Sequence, residues 1–191
     1  MKLEEYLALY PKKHIIFDLD RTLAHLLIDW MAFGDIFSVV ATFDKPLSKE
    51  TIPFHELANR AIQKHGEMAQ KAICEFNETY ELSHYGGYTP NDELLTFIRK
   101  NQKTYPFYLW TSNARKTIQD FLQKESFITT FKTIVTREDV YFIKPNGEGF
   151  KKIYIPGTEL SDYLMVGDSV VDEGGAKDAG IDFFKIDYFS T

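Results

Sequence analysis

The chain has 191 residues, of which 44% are hydrophobic and 26% are charged, and its formal net charge is −6. This length and composition are typical of a globular protein with a sizeable core, and they exclude intrinsic disorder. Nucleic-acid phosphates demand a basic surface, so the negative charge and the scattered Lys and Arg residues argue against a nucleic-acid-binding protein.

Five short apolar runs predict buried parallel strands. They cover residues 14–18, 107–110, 133–136, 163–166 and 183–186. Helical patterns separate most of them. One helix is predicted to begin near Thr89, with this residue as its cap, a second follows Asn113, and the last ends at Gly180. The alternation predicts an α/β fold, with a Rossmann-like parallel sheet core that has helices on both faces.

Residues 25–88 interrupt this alternation with helical spacing and no convincing strand. Three apolar stripes mark three helix faces: Leu26, Trp30, Phe33, Phe37 and Val40; Phe54, Leu57, Ala61 and Ile62; and Ala69, Ile73, Phe76 and Tyr80. We therefore expect a small all-helical cap at 25–88, inserted between core segments 1–24 and 89–191. The Gly86-Gly87 pair is expected to form a flexible return to the core. The aromatic residues of the first stripe belong either to a core or, as a second option, to a substrate pocket.

Polar residues follow four of the predicted strands or the loops beyond them. They are Asp18-Leu19-Asp20-Arg21-Thr22-Leu23, Thr111-Ser112-Asn113, Lys144-Pro145 and Gly167-Asp168-Ser169-Val170-Val171-Asp172. Ligands of doubly wound sheets lie beyond the carboxyl ends of the strands, so these segments should meet. Four carboxylates near one lysine remain ionised together only if a cation neutralises them. An all-oxygen site that also binds phosphate suits Mg²⁺.

The order of these motifs resembles the haloacid dehalogenase superfamily, mainly its phosphatase members, over about residues 12–24 and 89–187. The resemblance implies that Asp18 is a nucleophile that forms an aspartyl-phosphate, and that Asp20 is the general acid and base. It assigns the metal site to Asp18, Asp20 through its backbone carbonyl, Asp168 and Asp172, with orientation of Lys144 as the alternative role of Asp172. It assigns phosphate binding to Thr22, Ser112, Asn113 and Lys144, with Thr22 also supporting the nucleophile loop.

The position of the cap resembles phosphoglycolate phosphatase-like and β-phosphoglucomutase-like members of this superfamily. Dehalogenase members lack an acid at the position of Asp20, so its presence here implies phosphate chemistry. Arg21 occupies a position where glycine is frequent, and it is either a structural residue or a substrate contact. Thr111 is the alternative to Ser112 as the phosphate-binding hydroxyl. His25 is expected to serve as a hinge rather than as an active-site residue.

These observations predict a Mg²⁺-dependent phosphatase that acts on a small phosphorylated metabolite. A phosphomutase on the same scaffold is the nearest alternative. A phosphorylatable receiver domain is disfavoured, because the phosphorylated aspartate of a receiver ends its third strand. A non-catalytic binding protein conflicts with the intact motifs.

The sequence also predicts a cytoplasmic location. The single cysteine, Cys74, cannot form an intramolecular disulfide, which fits a reducing compartment. The first residues include acids where a secretory signal carries an apolar stretch. No apolar run approaches the roughly 20 residues needed to cross a membrane, so no membrane partner is expected. The oligomeric state is not predicted.

Overall fold

A computed structural model describes residues 1–30 and 36–187 of the chain. In chain order its helices and strands are α1 (Leu3–Leu9), β1 (His14–Phe17), β2 (Ala24–Ile28), α2 (Ile36–Ala41), α3 (Phe54–His65), α4 (Glu67–His84), β3 (Tyr85–Pro90), α5 (Asp92–Asn101), β4 (Phe107–Trp110), α6 (Arg115–Lys124), β5 (Phe131–Val135), β6 (Tyr163–Gly167), α7 (Val170–Ala179) and β7 (Asp182–Lys185). Short 3₁₀ turns lie between some of these elements.

Five of the strands form a parallel sheet in the order β5-β4-β1-β6-β7, which confirms the predicted Rossmann-like α/β core. The central strand β1 pairs with β4 on one side and with β6 on the other, and Ile15, Ile16 and Phe17 are fully buried. Continuous apolar runs of this kind suit strands that are covered on both faces. The chain moves outward from β1 to β5 and then returns to the other side of β1. This reversal creates a crevice at the carboxyl ends of β1 and β6.

Two strands bracket the inserted helices, so the prediction that 25–88 contains no strand was wrong. β2 and β3 pair as an antiparallel ribbon at the two ends of the insertion. Buried Leu26 and Ile28 flank Leu27, which is 45% exposed, and this alternation of period two was hidden inside the helical spacing. Gly86 and Gly87 lie within β3 rather than in a flexible link. Phe33 lies outside the described residues. The domain division at 25–88 stays a prediction.

The helices of the insertion, α2, α3 and α4, are called the cap helices below. Leu57, Ala61 and Ile62 of α3 are buried, as are Ala69, Ile73 and Tyr80 of α4, in agreement with the second and third predicted stripes. The cap helices pack on one another, and α4 also packs against α6 of the core. None of the helices in the described part of the chain has both the length and the apolar character needed to span a membrane.

The start of α5 differs from the prediction. Thr89 and Pro90 are the last residues of β3, and Asn91 caps the helix by accepting the Leu94 N–H at 3.3 Å. Pairing with β2 therefore places Thr89 and Pro90 in β3, although local capping chemistry predicts them at the start of α5. The end of α7 agrees with the prediction, because Gly180 follows it in the left-handed conformation with φ of 73°.

Candidate active site

The loop after β1 places two aspartates at the carboxyl edge of the sheet. Asp18 follows the strand directly, and its N–H donates to the Val166 carbonyl of β6 at 2.9 Å. The Leu19 carbonyl accepts from three successive backbone N–H groups, those of residues 22, 23 and 24, so the loop is compact. Arg21 adopts a φ of 62°, which costs a non-glycine residue about 1–2 kcal/mol. A turn of this shape explains why glycine suits that position, and Arg21 itself lies exposed at the cavity edge.

Lys144 is buried at the centre of the site, with 2% of its surface exposed. Its Nζ donates to Asp18 Oδ1 at 2.6 Å, to Asp172 Oδ1 at 2.5 Å and to the Trp110 carbonyl at 2.9 Å. The ammonium group has three protons, and these three acceptors use them all. Lys144 therefore connects the carboxyl ends of β1 and β4 with the first turn of α7.

Three carboxylates crowd around this lysine. Asp18, Asp168 and Asp172 each offer an oxygen atom within 4.8 Å of the other two. Burial raises the pKa of Asp18, which Lys144 opposes and the charge of Asp172 reinforces. Burial also raises the pKa of Asp168, with Asp172 as the next cause. Carboxylates outnumber lysine in this cluster, and their oxygen atoms are the donor type that Mg²⁺ prefers, so the donor set fits the predicted cation.

The Asp20 side chain lies beside this cluster rather than within it. Its Oδ1 accepts the Leu26 N–H of β2 at 2.9 Å, which fixes the carboxyl group at the start of the insertion. Burial raises the pKa of Asp20 to about 7, against the opposing effect of the hydrogen bond from Leu26. A carboxyl group of this kind exchanges protons near neutral pH.

Asp172 has both of its oxygen atoms engaged by protein groups. Oδ1 accepts from Lys144, and Oδ2 accepts from the Ser169 hydroxyl at 2.5 Å and the Ser169 N–H at 3.2 Å. Ser169 in turn accepts the Asp172 N–H and caps α7. Of the two roles left open by the sequence, these contacts favour orientation of Lys144.

The turn after β4 contains two hydroxyl residues, Thr111 and Ser112. Thr111 is buried, and its hydroxyl donates to Asn113 Oδ1 at 2.7 Å. Asn113 Nδ2 donates to Glu81 Oε1 at 3.3 Å, so the Asn113 side chain is also used within the protein. Ser112 is among the residues that line the cavity, and Thr111 is not. The assignment of the phosphate-binding hydroxyl to Ser112 stays a prediction.

The placement of Thr22 bears on its two predicted roles. Its side chain is fully buried and is not among the cavity-lining residues, a placement that favours support of the nucleophile loop over contact with phosphate. Its carbonyl accepts from Asn91 Nδ2 at 3.0 Å, and the Asn91 N–H donates to the Leu23 carbonyl at 2.9 Å. Thr22 belongs to the part of the loop that joins β1 to the start of α5.

A cavity of about 460 Å³ gathers the remaining predicted residues at the sheet edge. Its lining contains Asp18, Asp20, Ser112, Asn113, Lys144, Asp168 and Asp172, together with Arg21, Ser169 and Val171. The segment 30–81 contributes Trp30, Phe54, Asn77 and Glu81. His25 lies in β2 and is not among the lining residues.

The sequence reasoning missed Asn77 and Glu81, although a signal was present. Both follow Ile73 at intervals of four residues, so they share the buried face of α4 with the apolar stripe. Polar residues that continue a buried apolar stripe need hydrogen-bond partners, and this requirement was the signal in the sequence. Trp30 lies in the cavity lining, which agrees with a substrate pocket as the second option for the first apolar stripe.

Similarity to known proteins places the chain in a family. The model of the haloacid dehalogenase-like hydrolase family matches residues 15–186. The chain belongs to this family. This haloacid dehalogenase-like hydrolase is 24% identical over 174 residues to the pyrophosphatase PpaX of Bacillus cereus strain AH820, covering 87% of the chain and 79% of that relative.

Solved structures show the same fold as this haloacid dehalogenase-like hydrolase. The magnesium-bound protein YfnB of Bacillus subtilis has a TM-score of 0.56 and 18% identity, covering 94% of this chain and 89% of the other. The 2-haloacid dehalogenase of Pseudomonas syringae pv. tomato has a TM-score of 0.54 and 17% identity, covering 94% and 88%. Because one of these proteins is a dehalogenase, the fold alone does not decide which bond this hydrolase cleaves.

Proposed function

We propose that this hydrolase is a Mg²⁺-dependent phosphatase that cleaves a small phosphomonoester through an aspartyl-phosphate on Asp18. The observation that carries the proposal is the presence of a second carboxyl group, Asp20, beside Asp18 and Lys144 in one cavity. A halide needs no proton to leave, whereas an alkoxide does. The Asp20 carboxyl supplies that proton, so the site suits an oxygen leaving group better than a halide.

Charge compensation supports the same conclusion. A carboxylate that approaches a phosphate dianion meets strong repulsion unless positive charge lies close by. The Lys144 ammonium lies 2.6 Å from Asp18, and Ser112 lines the same cavity. The Asp18 and Asp168 carboxylates would hold Mg²⁺, which when bound supplies further positive charge for the phosphoryl oxygens.

The proposed reaction has two steps, and each step is a displacement at phosphorus. An Asp18 oxygen forms a bond to phosphorus while the bond from phosphorus to the leaving oxygen breaks, and Asp20 gives that oxygen its proton. Water then attacks the aspartyl-phosphate and loses a proton to Asp20, and the bond between Asp18 and phosphorus breaks. Inorganic phosphate and the free alcohol are the products, and both carboxyl groups return to their starting states. The positive charge of Lys144 stabilises the phosphoryl oxygens throughout, and the Ser112 hydroxyl donates to one of them.

The cap-side residues favour a small substrate. Trp30 and Phe54 close part of a cavity of about 460 Å³, a volume within the usual range for small-molecule sites. Such a partly enclosed site limits water during the attack and does not admit a folded phosphoprotein easily. A cytoplasmic location and the absence of a nucleic-acid substrate stay predictions from the composition.

The direct test is a hydrolysis screen over an aryl phosphate and a panel of phosphorylated metabolites, with Mg²⁺ and with chelator. Asp18→Asn should abolish Mg²⁺-dependent release of inorganic phosphate. Asp20→Asn should slow release by about 10²-fold or more, the usual range for a general acid and base. The exposed Asp187 provides a matched control, and Asp187→Asn should keep wild-type activity.

Two results would contradict the proposal. Full turnover by Asp18→Asn, with native circular dichroism, would remove the nucleophile assignment. Formation of an isomeric phosphate ester without release of inorganic phosphate would indicate a phosphomutase instead.

A further inference from the structure

The loop that carries Lys144 is held by side chains rather than by a strand partner. The Tyr141 and Phe142 N–H groups donate to the two carboxylate oxygens of Glu148, at 2.8 and 2.9 Å. The next residue, Ile143, is held from outside the core sheet. Its N–H donates to Asn59 Oδ1 at 3.0 Å, and its carbonyl accepts from Asn59 Nδ2 at 2.9 Å. Asn59 belongs to cap helix α3, so a cap helix holds both backbone groups of the residue that precedes Lys144.

The turn that carries Ser112 is held from the cap in a similar way. Glu81 of α4 is 1% exposed, and its Oε2 accepts the Ala114 N–H at 2.9 Å. Its Oε1 accepts from Asn77 Nδ2 at 2.7 Å and from Asn113 Nδ2 at 3.3 Å. These three contacts come from N–H donors, which a carboxylate oxygen accepts, and they oppose the burial that raises the pKa of Glu81. The carboxylate also lies at the start of α6, where the helix dipole favours an anion.

We propose that Asn59 and Glu81 are positioning residues, through which the cap helices hold the Lys144 loop and the Ser112 turn in their phosphate-binding geometry. This inference rests on the proposed phosphatase function. Each contact spans the cap and the core and ends one or two residues from a phosphate-binding side chain. A displacement of about 1 Å at a reacting group can lower a rate by up to about a hundredfold, so contacts of this kind matter for catalysis.

The test uses two variants and two matched controls. Asn59→Ala removes both hydrogen bonds to Ile143. Glu81→Gln keeps the shape of the side chain but turns one acceptor into a donor, which then faces an N–H group. Gln63→Ala on α3 and Glu75→Gln on α4 alter exposed residues of the same helices. For each protein, kcat, KM and the inhibition constant of inorganic phosphate are measured with two phosphomonoesters that have different leaving groups, and phosphate binding in Mg²⁺ is measured by calorimetry.

We expect kcat/KM of both variants to fall by about tenfold to a hundredfold, with higher KM and weaker binding of inorganic phosphate. The loss should be equal for the two substrates, because the phosphoryl group is common to them. The controls should match the wild type. Partial unfolding lowers only the active fraction, so it reduces the apparent kcat and leaves KM and the inhibition constant unchanged.

Three outcomes would overturn the inference. Wild-type KM and phosphate affinity in both variants would show that the contacts do not position the site. A loss with one substrate and none with the other would make Glu81 a leaving-group contact instead. If the wild type hydrolyses no phosphomonoester and also binds no inorganic phosphate, the proposed function and this inference fail together. Absence of hydrolysis with normal phosphate binding would contradict only the proposed function, and the calorimetry would still decide the inference.

Discussion

Replacement of Lys144 by methionine tests the electrostatics of the site most directly. Methionine has a similar length and no charge, so the substitution removes the cation while it keeps most of the packing. The Lys144 Nζ lies 2.6 Å from Asp18 and 2.5 Å from Asp172, and all three side chains are almost fully buried. At an effective dielectric constant of about 20, each contact is worth about 6 kcal/mol before desolvation is subtracted.

Desolvation reduces this figure, because each buried ion loses several kcal/mol of hydration. Without lysine, Asp18 and Asp172 repel each other, and one of them takes up a proton. Removal of one partner from a buried ion pair costs about 3–5 kcal/mol, and we expect Lys144→Met to lower the free energy of unfolding by this amount. A domain in the upper part of the typical range of about 5–15 kcal/mol remains folded after such a loss.

Urea denaturation followed by circular dichroism in chelator gives the free energy of unfolding. Lys144→Met combined with Asp172→Asn should recover at least about 1 kcal/mol relative to Lys144→Met alone, since it removes one of the two carboxyl groups that repel each other. Lys116 forms an exposed ion pair with Glu78, so Lys116→Met is the control and should have little effect.

Charge compensation by Lys144 would be refuted if Lys144→Met had wild-type stability in chelator. It would also be refuted if the effects of Lys144→Met and Asp172→Asn were simply additive. Either result would mean that the lysine does not compensate the carboxylates. Phosphatase activity does not decide this question, because Lys144→Met also removes a group that binds the phosphoryl oxygens.

Three further predictions concern the metal, the pH dependence and a buried arginine. Mg²⁺ should raise the free energy of unfolding by about 2.7 kcal/mol at a hundredfold excess over its dissociation constant, and Asp168→Asn should remove most of this shift in urea denaturation. His65 and Lys64 hold the pKa of Asp44 well below its usual range. Ionised Asp44 therefore stabilises the folded protein fully above the pKa of about 4 that an aspartate has in the unfolded chain. This stabilisation is lost as the pH falls through the lower pKa that Asp44 has in the folded protein. Asp44→Asn should be less stable than the wild type near neutral pH, and the difference should shrink in strong acid; a constant difference in chemical denaturation would contradict this. Arg137 is buried, and burial lowers its pKa against the opposing effects of Cys74 and Glu81. No oxygen atom in the described part of the chain accepts a hydrogen bond from its guanidinium nitrogens. Arg137→Met should therefore stay within about 1 kcal/mol of the wild type or be more stable, and a loss of several kcal/mol in denaturation would show that the charge is compensated.

Several parts of this protein could be predicted from the sequence because they depend on local chemistry. The apolar runs around Ile16 and Leu109 are short and continuous, which is typical of strands buried on both faces. Gly180 stops α7 because glycine adopts the left-handed conformation without strain. The carboxyl ends of parallel strands share one edge of the sheet, so the place of Asp18 and Asp168 after their strands was enough to predict that they meet.

Other features depend on partners that are distant in the chain. Leu26 became a strand residue rather than a helix residue because Tyr88 pairs with it across the insertion, and strand pairing is not visible in either segment alone. The family resemblance implied phosphate binding by Thr22, but the turn of the loop buries its side chain.

The sequence by itself determined the sheet, the order of the motifs and the carboxylate-rich edge, because strand burial and residues at strand ends are local properties. Only the tertiary structure decided how the insertion meets this edge. Asn59 and Glu81 are ordinary polar helix residues in the sequence, and their partners Ile143 and Ala114 lie more than 30 residues away. A buried hydrogen-bond donor or acceptor takes the partner that the fold brings to it, and no local pattern specifies which partner that is.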